Sequence, residues 1–232
     1  MNKIILSLAL CLTALSPTRA ADDLTIADFL AMPGTTDKEL AISLNNDQPY
    51  AAFQFDLVLP EGVTVTSFSA TERLAQKTDV QMHQQPNGSY RFIAIPTDLT
   101  TNITGTSGTI ITITVSVANN AALGTLTGYF HNIKLSNTSG EGPTYNEISF
   151  PINIYKRGDV NNDGDIDIAD AVCIVNHVVG KPTPSFNDKA ADVNDDGDID
   201  IADAVRIVNF VVGKIDALAR RYEVEWNLPE PE

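Results

Sequence analysis

Acidic and amide side chains recur at set intervals between Asp159 and Asp170: Asp159, Asn161, Asp163, Asp165, Asp167 and Asp170, with Gly164 among them. From Asp192, 33 residues after Asp159, the set returns as Asp192, Asn194, Asp196, Asp198, Asp200 and Asp203, with Gly197. Every donor is an oxygen, so the pattern suits a hard cation rather than a transition metal. Calcium takes about six to eight oxygens in a flexible cage, whereas magnesium demands shorter, near-octahedral coordination and keeps its waters. A loop of this length can supply ligands from side chains at its odd positions, one main-chain carbonyl and its last residue, with glycine at the sharp turn. The expected calcium ligands are therefore Asp159, Asn161, Asp163, the carbonyl of Asp165, Asp167 and Asp170. In the second loop they are Asp192, Asn194, Asp196, the carbonyl of Asp198, Asp200 and Asp203. Two calcium ions are expected in all.

The copies stay in step to Lys181 and Lys214 and differ only at Asn162/Asp195, Cys173/Arg206 and His177/Phe210. The last ligand is Asp, one methylene shorter than the Glu of a standard EF-hand, so the loop must close more tightly. After each loop the apolar spacing predicts a helix. Val172, Val175 and Val179, then Val205, Val208 and Val212, fall at three- and four-residue steps and are expected to form the apolar face. Gly180 and Gly213 are placed to end the helices. β-branched residues are weak helix formers, so packing and metal must support these segments. No comparable helix is expected before either loop, and Pro182 and Pro184 break the chain between copies. The unit is loop then helix, used twice.

This tandem resembles a type I dockerin over about residues 157 to 216. The resemblance implies a small all-α module of two EF-hand-like loop-helix repeats related by a pseudo-twofold axis. It also implies docking onto a cohesin-type protein module. In dockerins, the partner is commonly contacted from positions that here carry Ile168, Ala169, Val175, Asn176 and Gly180, then Ile201, Ala202, Val208, Asn209 and Gly213. The familiar clostridial pattern has Ser/Thr and Lys/Arg at the first four of these, and this chain departs from it. The Ile-Ala pairs predict either a more hydrophobic interface or burial within the module itself.

The formal net charge is −15. Between Asp159 and Lys214 there are 12 Asp against 4 Lys/Arg, so over half of the imbalance lies in the calcium module. No basic stripe exists to neutralise phosphates, which argues against nucleic acid and against an anionic membrane surface. Residues 1–20 read as a secretory signal: Lys3, an apolar stretch from Ile4 to Leu15, and Thr18-Arg19-Ala20 before cleavage. That stretch is too short for a membrane span, and a secreted protein is expected. Loss of Cys11 with the signal would leave Cys173 alone, so no internal disulfide is expected.

Residues 21–154 follow another grammar: short alternating runs separated by Gly, Pro, Asn and Asp turns, as in an all-β sandwich. In Ala52 to Leu59, Phe53, Phe55, Leu57 and Leu59 share one face, and Gln54 and Asp56 the other. Further runs are Leu40 to Leu44, Val63 to Phe68, Tyr90 to Ile95, Thr109 to Val117, Thr125 to Leu135 and Ile148 to Ile154. With Leu24 to Phe29 ahead of Pro33-Gly34, Ile42 to Asn46, and Gly105 to Ile113, the region resembles the cohesin and carbohydrate-binding-module superfamily. That implies a mainly β, nine-stranded jelly-roll sandwich, a combination met in secreted proteins of Bacteroides-type bacteria. Tyr50, Tyr90, Tyr129, Phe130 and Tyr145 are candidates for a polysaccharide platform; the alternative is strand core with edge tyrosines.

No catalytic constellation is present. His83, His131 and His177 are scattered, and nucleophile-elbow and phosphate-loop motifs are absent. Dockerins are usually appended to polysaccharide-degrading enzymes, so the resemblance implies a polysaccharide-related setting, but no catalytic module fits in the remainder. The expectation is a non-catalytic secreted protein with a signal peptide (1–20), a sandwich (21–154), a calcium-folded docking module (155–218) and a tail (219–232). Alternatively, the sandwich binds carbohydrate and the module anchors it. Tyr155-Lys156-Arg157 is expected to be the tether.

Overall fold

The computed structural model describes residues 22–74, 78–98 and 100–218. The expected signal segment and the tail from residue 219 lie outside the described residues. Alternating apolar residues build two facing sheets. The strands are β1 (Asp23–Ile26), β2 (Phe29–Ala31), β3 (Lys38–Asn45), β4 (Ala52–Val58), β5 (Val63–Ala70), β6 (Thr78–Gln84), β7 (Tyr90–Pro96), β8 (Thr109–Val117), β9 (Gly124–Ser136) and β10 (Ile148–Ile154). One sheet runs β1-β3-β8-β5 and the other β2-β10-β9-β4-β7-β6. All pairings are antiparallel except β2 with β10. Strands β1 and β2 are parted only by Ala27 and Asp28 yet belong to different sheets, so one extended run crosses the edge of the sandwich and adds a segment to the expected nine.

The core is aliphatic on one sheet and aromatic on the other. Leu40, Ile42, Leu44, Ile111, Ile113 and Val115 face Phe53, Phe55, Phe92 and Phe130, all buried. Phe55 stacks on Phe92 at 5.1 Å between centroids and meets Phe130 edge-on at 5.4 Å, favourable geometries for aromatic pairs. Strand β6 carries no apolar run; its burial merely alternates between half-buried and exposed. Its full pairing to β7 makes it a strand.

Asp56 corrects the reading of β4. It lies opposite the Phe face, yet it is buried. Arg91 Nε and NH2 donate to its two carboxylate oxygens at 2.7 and 2.8 Å, and Asn132 Nδ2 adds a third bond at 2.6 Å. A buried carboxylate is tolerated when paired and hydrogen-bonded in this way.

The C-terminal module contains α1 (Ile168–Val178), α2 (Asp188–Ala191) and α3 (Ile201–Val211). The single turn α2, N-capped by Asn187, precedes the second loop, where no helix was expected. Val160, Ala171, Ile174, Ala191, Val193, Ala204, Ile207 and Leu218 form a second core separate from that of the sandwich. Its members come in repeat-related pairs, such as Val160 with Val193 and Ile174 with Ile207, which is the structural trace of the duplication. Leu218 closes the ring: a Cβ on Gly158 would stand 2.4 Å from its Cδ1. Only glycine at 158 lets the two ends of the module meet.

Candidate metal centre and interaction face

Each loop is shaped by its own carboxylate and asparagine side-chain oxygens accepting from its own backbone amides. Asp159 Oδ2 accepts from Gly164 N at 3.1 Å, Asn161 Oδ1 from Asp163 N at 2.8 Å, and Asp163 Oδ1 from Asp165 N at 3.0 Å. The second loop repeats this with Asp192 to Gly197 at 3.1 Å, Asn194 to Asp196 at 2.8 Å and Asp196 to Asp198 at 3.1 Å. Gly164 and Gly197 sit at φ +94° and +93°, a conformation a Cβ would strain.

The last acid of each loop joins loop to helix. Asp170 is fully buried. Its Oδ1 accepts from Val160 N at 2.7 Å and Asn161 N at 3.1 Å, and its Oδ2 from Asp167 N at 2.9 Å. Asp167 Oδ1 in turn accepts from Ala169 N at 2.6 Å, completing a capping box. Asp203 and Asp200 reproduce the set in front of α3. Both helices then end alike. In α1, Gly180 N bonds His177 O at 3.0 Å and Lys181 N bonds Asn176 O at 2.8 Å. This is a Schellman motif with Val179, not the glycine, at the cap position.

Two atoms stand apart. Among the described residues, the buried side-chain polar atoms lacking any hydrogen-bond partner are Asp159 Oδ1 and Asp192 Oδ1. They occupy the first position of both loops. A buried, unpartnered carboxylate oxygen is costly, and a cation facing it would remove that cost. Burial pushes the Asp159 carboxyl above its ordinary range, with the charges of Asp170 and Asp163 adding to the shift. Burial likewise raises Asp203. Exposed Asp163 is held below the usual range by the Asp165 amide and Asn161.

Among the described residues no three acidic, histidine or cysteine side chains converge as a ready metal cluster. The amide oxygens of Asn161 and Asn194 and the carbonyls of Asp165 and Asp198 would have to complete each cage. The donor set fits calcium: all oxygen, with one carboxylate oxygen in each loop buried and unpartnered.

The helices correct the expected apolar face. Ala171 and Ile174, with Ala204 and Ile207, point into the module core. The valines point out: Val172 is 50% exposed, Val179 58%, Val205 53% and Val212 56%. Ile168, Val175 and Val178, with Ile201, Val208 and Val211, extend these stripes in the open. Both helices are apolar on nearly every side, so periodicity alone did not distinguish inside from outside. Asp170 and Asp203, the acids within them, are buried, so charge is nearly absent from the outward faces. Exposed apolar surface of this kind is a candidate for contact with a partner, a ligand or a membrane.

The tyrosine platform is not formed. Tyr50, Tyr90 and Phe130 are buried in the sandwich. Tyr50 Oη donates to Asp22 Oδ2 at 2.6 Å, and Tyr145 donates to the same oxygen. Tyr129 alone of the candidates lies on the outer face of β9, tilted against His131.

Residues 157–212 match the family model of the dockerin type I domain. Among solved structures, a chain of the CaDoc0917–CaCohA2 complex is 12% identical, with a TM-score of 0.50, over 58% of this chain and 100% of that one; CaCohA2 comes from Clostridium acetobutylicum. A chain of the Coh-OlpA–Doc918 type I cohesin–dockerin complex from Clostridium thermocellum is 14% identical, covering 58% and 99%, with a TM-score of 0.49. A non-cellulosomal cohesin from Archaeoglobus fulgidus is 12% identical, covering 59% and 93%, with a TM-score of 0.46. No curated protein matches the chain. The N-terminal region thus has a cohesin-like sandwich fold, and the segment matching the dockerin type I model follows it.

Proposed function

We propose that this chain is a secreted, non-catalytic docking protein whose C-terminal module folds around two calcium ions and binds a cohesin-type partner. The outward helix faces carry this reading. In a chain of net charge −15, two neighbouring helices present aliphatic, uncharged stripes led by Val172, Val179, Val205 and Val212, each at least half exposed. A water-facing surface of that composition is stabilised when another protein covers it.

The calcium ligands in this reading are Asp159, Asn161, Asp163, the Asp165 carbonyl, Asp167 and Asp170, with the equivalent set from Asp192 to Asp203. The ion supplies positive charge against carboxylates that would otherwise repel one another. The chain does the rest: Asp170 and Asp203 hold the loop start against the helix start, so an ordered loop sets the pose of the docking helix. Binding free energy thereby becomes folding free energy.

The near-identity of the copies supports docking in either of two orientations, related by the pseudo-twofold axis. The apolar stripes in place of Ser/Thr and Lys/Arg support a partner whose face is also apolar. A polysaccharide-related extracellular assembly is the setting this combination suits. The buried tyrosines weigh against a sugar platform as the main activity.

Isothermal calorimetry with CaCl2 tests the metal, with two sites expected. A calcium-dependent pull-down with cohesin modules tests docking, and Val172→Asp with Val205→Asp is expected to abolish capture while two calcium ions still bind. Absence of calcium binding would overturn the proposal.

A further inference from the structure

The junction between the two parts has no slack. Tyr155 N donates to Ala31 O at 3.0 Å, extending the sandwich ladder one residue past β10. The next residue already belongs to the module. Lys156 Nζ reaches Gly164 O, inside the first loop, at 2.7 Å. Arg157 NH1 reaches Asp192 O, at the head of the second loop, at 3.0 Å and Asp195 Oδ1 at 2.7 Å. Asp159 N bonds back to Lys156 O at 3.0 Å, and Gly158 N bonds Ala190 O at 2.9 Å. Every residue from 155 to 158 is therefore held by one body or the other.

The divergence between the repeats fits this arrangement. The one change within the two calcium loops is Asn162 against Asp195. Asp195 is the acid that pairs with Arg157. Asn162, its counterpart, instead bonds Ser185 O at 2.8 Å and Asn187 at 2.8 Å. Arg157 itself has no repeat equivalent, since the matching position is the buried Ala190. The negative charge at this position thus occurs only in the loop that Arg157 touches.

We propose that calcium loading fixes the sandwich and the docking module in one relative orientation through Lys156 and Arg157, and that calcium loss converts residues 155–158 into a hinge. The proposal rests on the two loops binding calcium. Ordered loops hold the Gly164 and Asp192 carbonyls where the two cations reach them. Disordered loops release both cations; the Tyr155 ladder bond then remains on the sandwich side and the Gly158 N–Ala190 O bond on the module side, with no side chain bracing the residues between them. Docking would then be presented rigidly in high calcium and on a loose tether in low calcium.

Spin labels at Thr64→Cys and Lys181→Cys, both exposed positions, in a full chain carrying Cys11→Ser and Cys173→Ser, report the distance between the bodies by pulsed electron resonance. The parent chain should give a narrow distribution in CaCl2 and a broad one in EDTA. Lys156→Ala with Arg157→Ala should give a broad distribution even in CaCl2, while calorimetry on that variant still counts two calcium ions. Equal widths in CaCl2 and EDTA for the parent chain overturn the proposal. So does a variant that binds calcium and stays narrow. Calcium binding without narrowing defeats this inference alone, whereas no calcium binding defeats the metal reading as well. If the double variant fails to fold, Asp195→Asn, which removes the ion pair to Arg157 and leaves every proposed calcium ligand in place, takes its role: broadening in CaCl2 with two ions bound supports the proposal, and an unchanged narrow distribution overturns it.

Discussion

Asp170→Ala separates the structural role of a loop acid from its role toward the metal. The side chain is fully buried and accepts from three amides, those of Val160, Asn161 and Asp167. Val160 is itself fully buried, so its N–H has no water to turn to; leaving it unpaired costs about 1–3 kcal/mol. Asn161 and Asp167 are more open and can be hydrated, losing roughly 0.5–1 kcal/mol each. The Asp167 bond is also half of the capping box in front of α1. The sum is about 2–5 kcal/mol, comparable to all that the core of so small a module holds. Asp163→Ala also deletes a proposed calcium ligand, but Asp163 is exposed and its amide partner can be hydrated. Urea unfolding in saturating CaCl2, followed by far-UV circular dichroism of the helices, compares the two. Asp170→Ala should unfold at far lower urea, and Asp163→Ala near wild type once calcium is saturating. Coincident transitions for the two variants would refute the assignment of Asp170 as the structural bridge.

Gly158→Val places a side chain where Leu218 Cδ1 and Ile166 Cγ2 already lie, at 2.4 and 3.2 Å from the new Cβ, and at φ +90°. It should lower the module's melting temperature and leave the sandwich transition unchanged in calorimetry. Asp56→Ala strands Arg91 and Asn132 and should destabilise the sandwich by about 2–4 kcal/mol. Arg91 holds the folded Asp56 carboxyl below its ordinary 3.8, so that stability is present above pH 3.8 and is lost as pH falls through the depressed value. The gap between variant and wild type in denaturant midpoint should close accordingly in acid. Burial raises Asp159 and Asp203, the opposite sign: their contribution to the metal-free module is present below pH 3.8 and is lost as pH rises through the raised values. Calcium should therefore bind with proton release at mildly acidic pH, read as a buffer-dependent calorimetric enthalpy, and more weakly as pH falls.

Much of the architecture was legible because its determinants are local. Alternating runs such as Phe53 to Leu57 and Ile111 to Val115 name their strands, since side chains alternate across a sheet. Strand β6 was not legible: Thr78 to Gln84 has little apolar content and is a strand only by pairing with β7. The burial of Asp56 was hidden for the same reason, because its partners are 35 and 76 residues away in the chain. The turn α2 escaped because four residues make too short a periodic signal.

The sequence by itself determined the two oxygen-rich loops, because all the donors lie within one turn-forming segment and glycine at its sixth place dictates the bend. It also determined the duplication and the division into a β part and a loop-helix part. Only the tertiary structure decided which side of each helix faces water. Residues 168–178 and 201–211 are apolar nearly all round, so the choice belongs to the partners: Val160, Val193 and Leu218 cover Ala171, Ile174, Ala204 and Ile207, and the valines are left outside. The tertiary structure also turned an apparent tether into a junction, by carrying Lys156 into one loop and Arg157 into the other. Charge at one position meets a carbonyl or carboxylate far along the chain only once folding has brought them together.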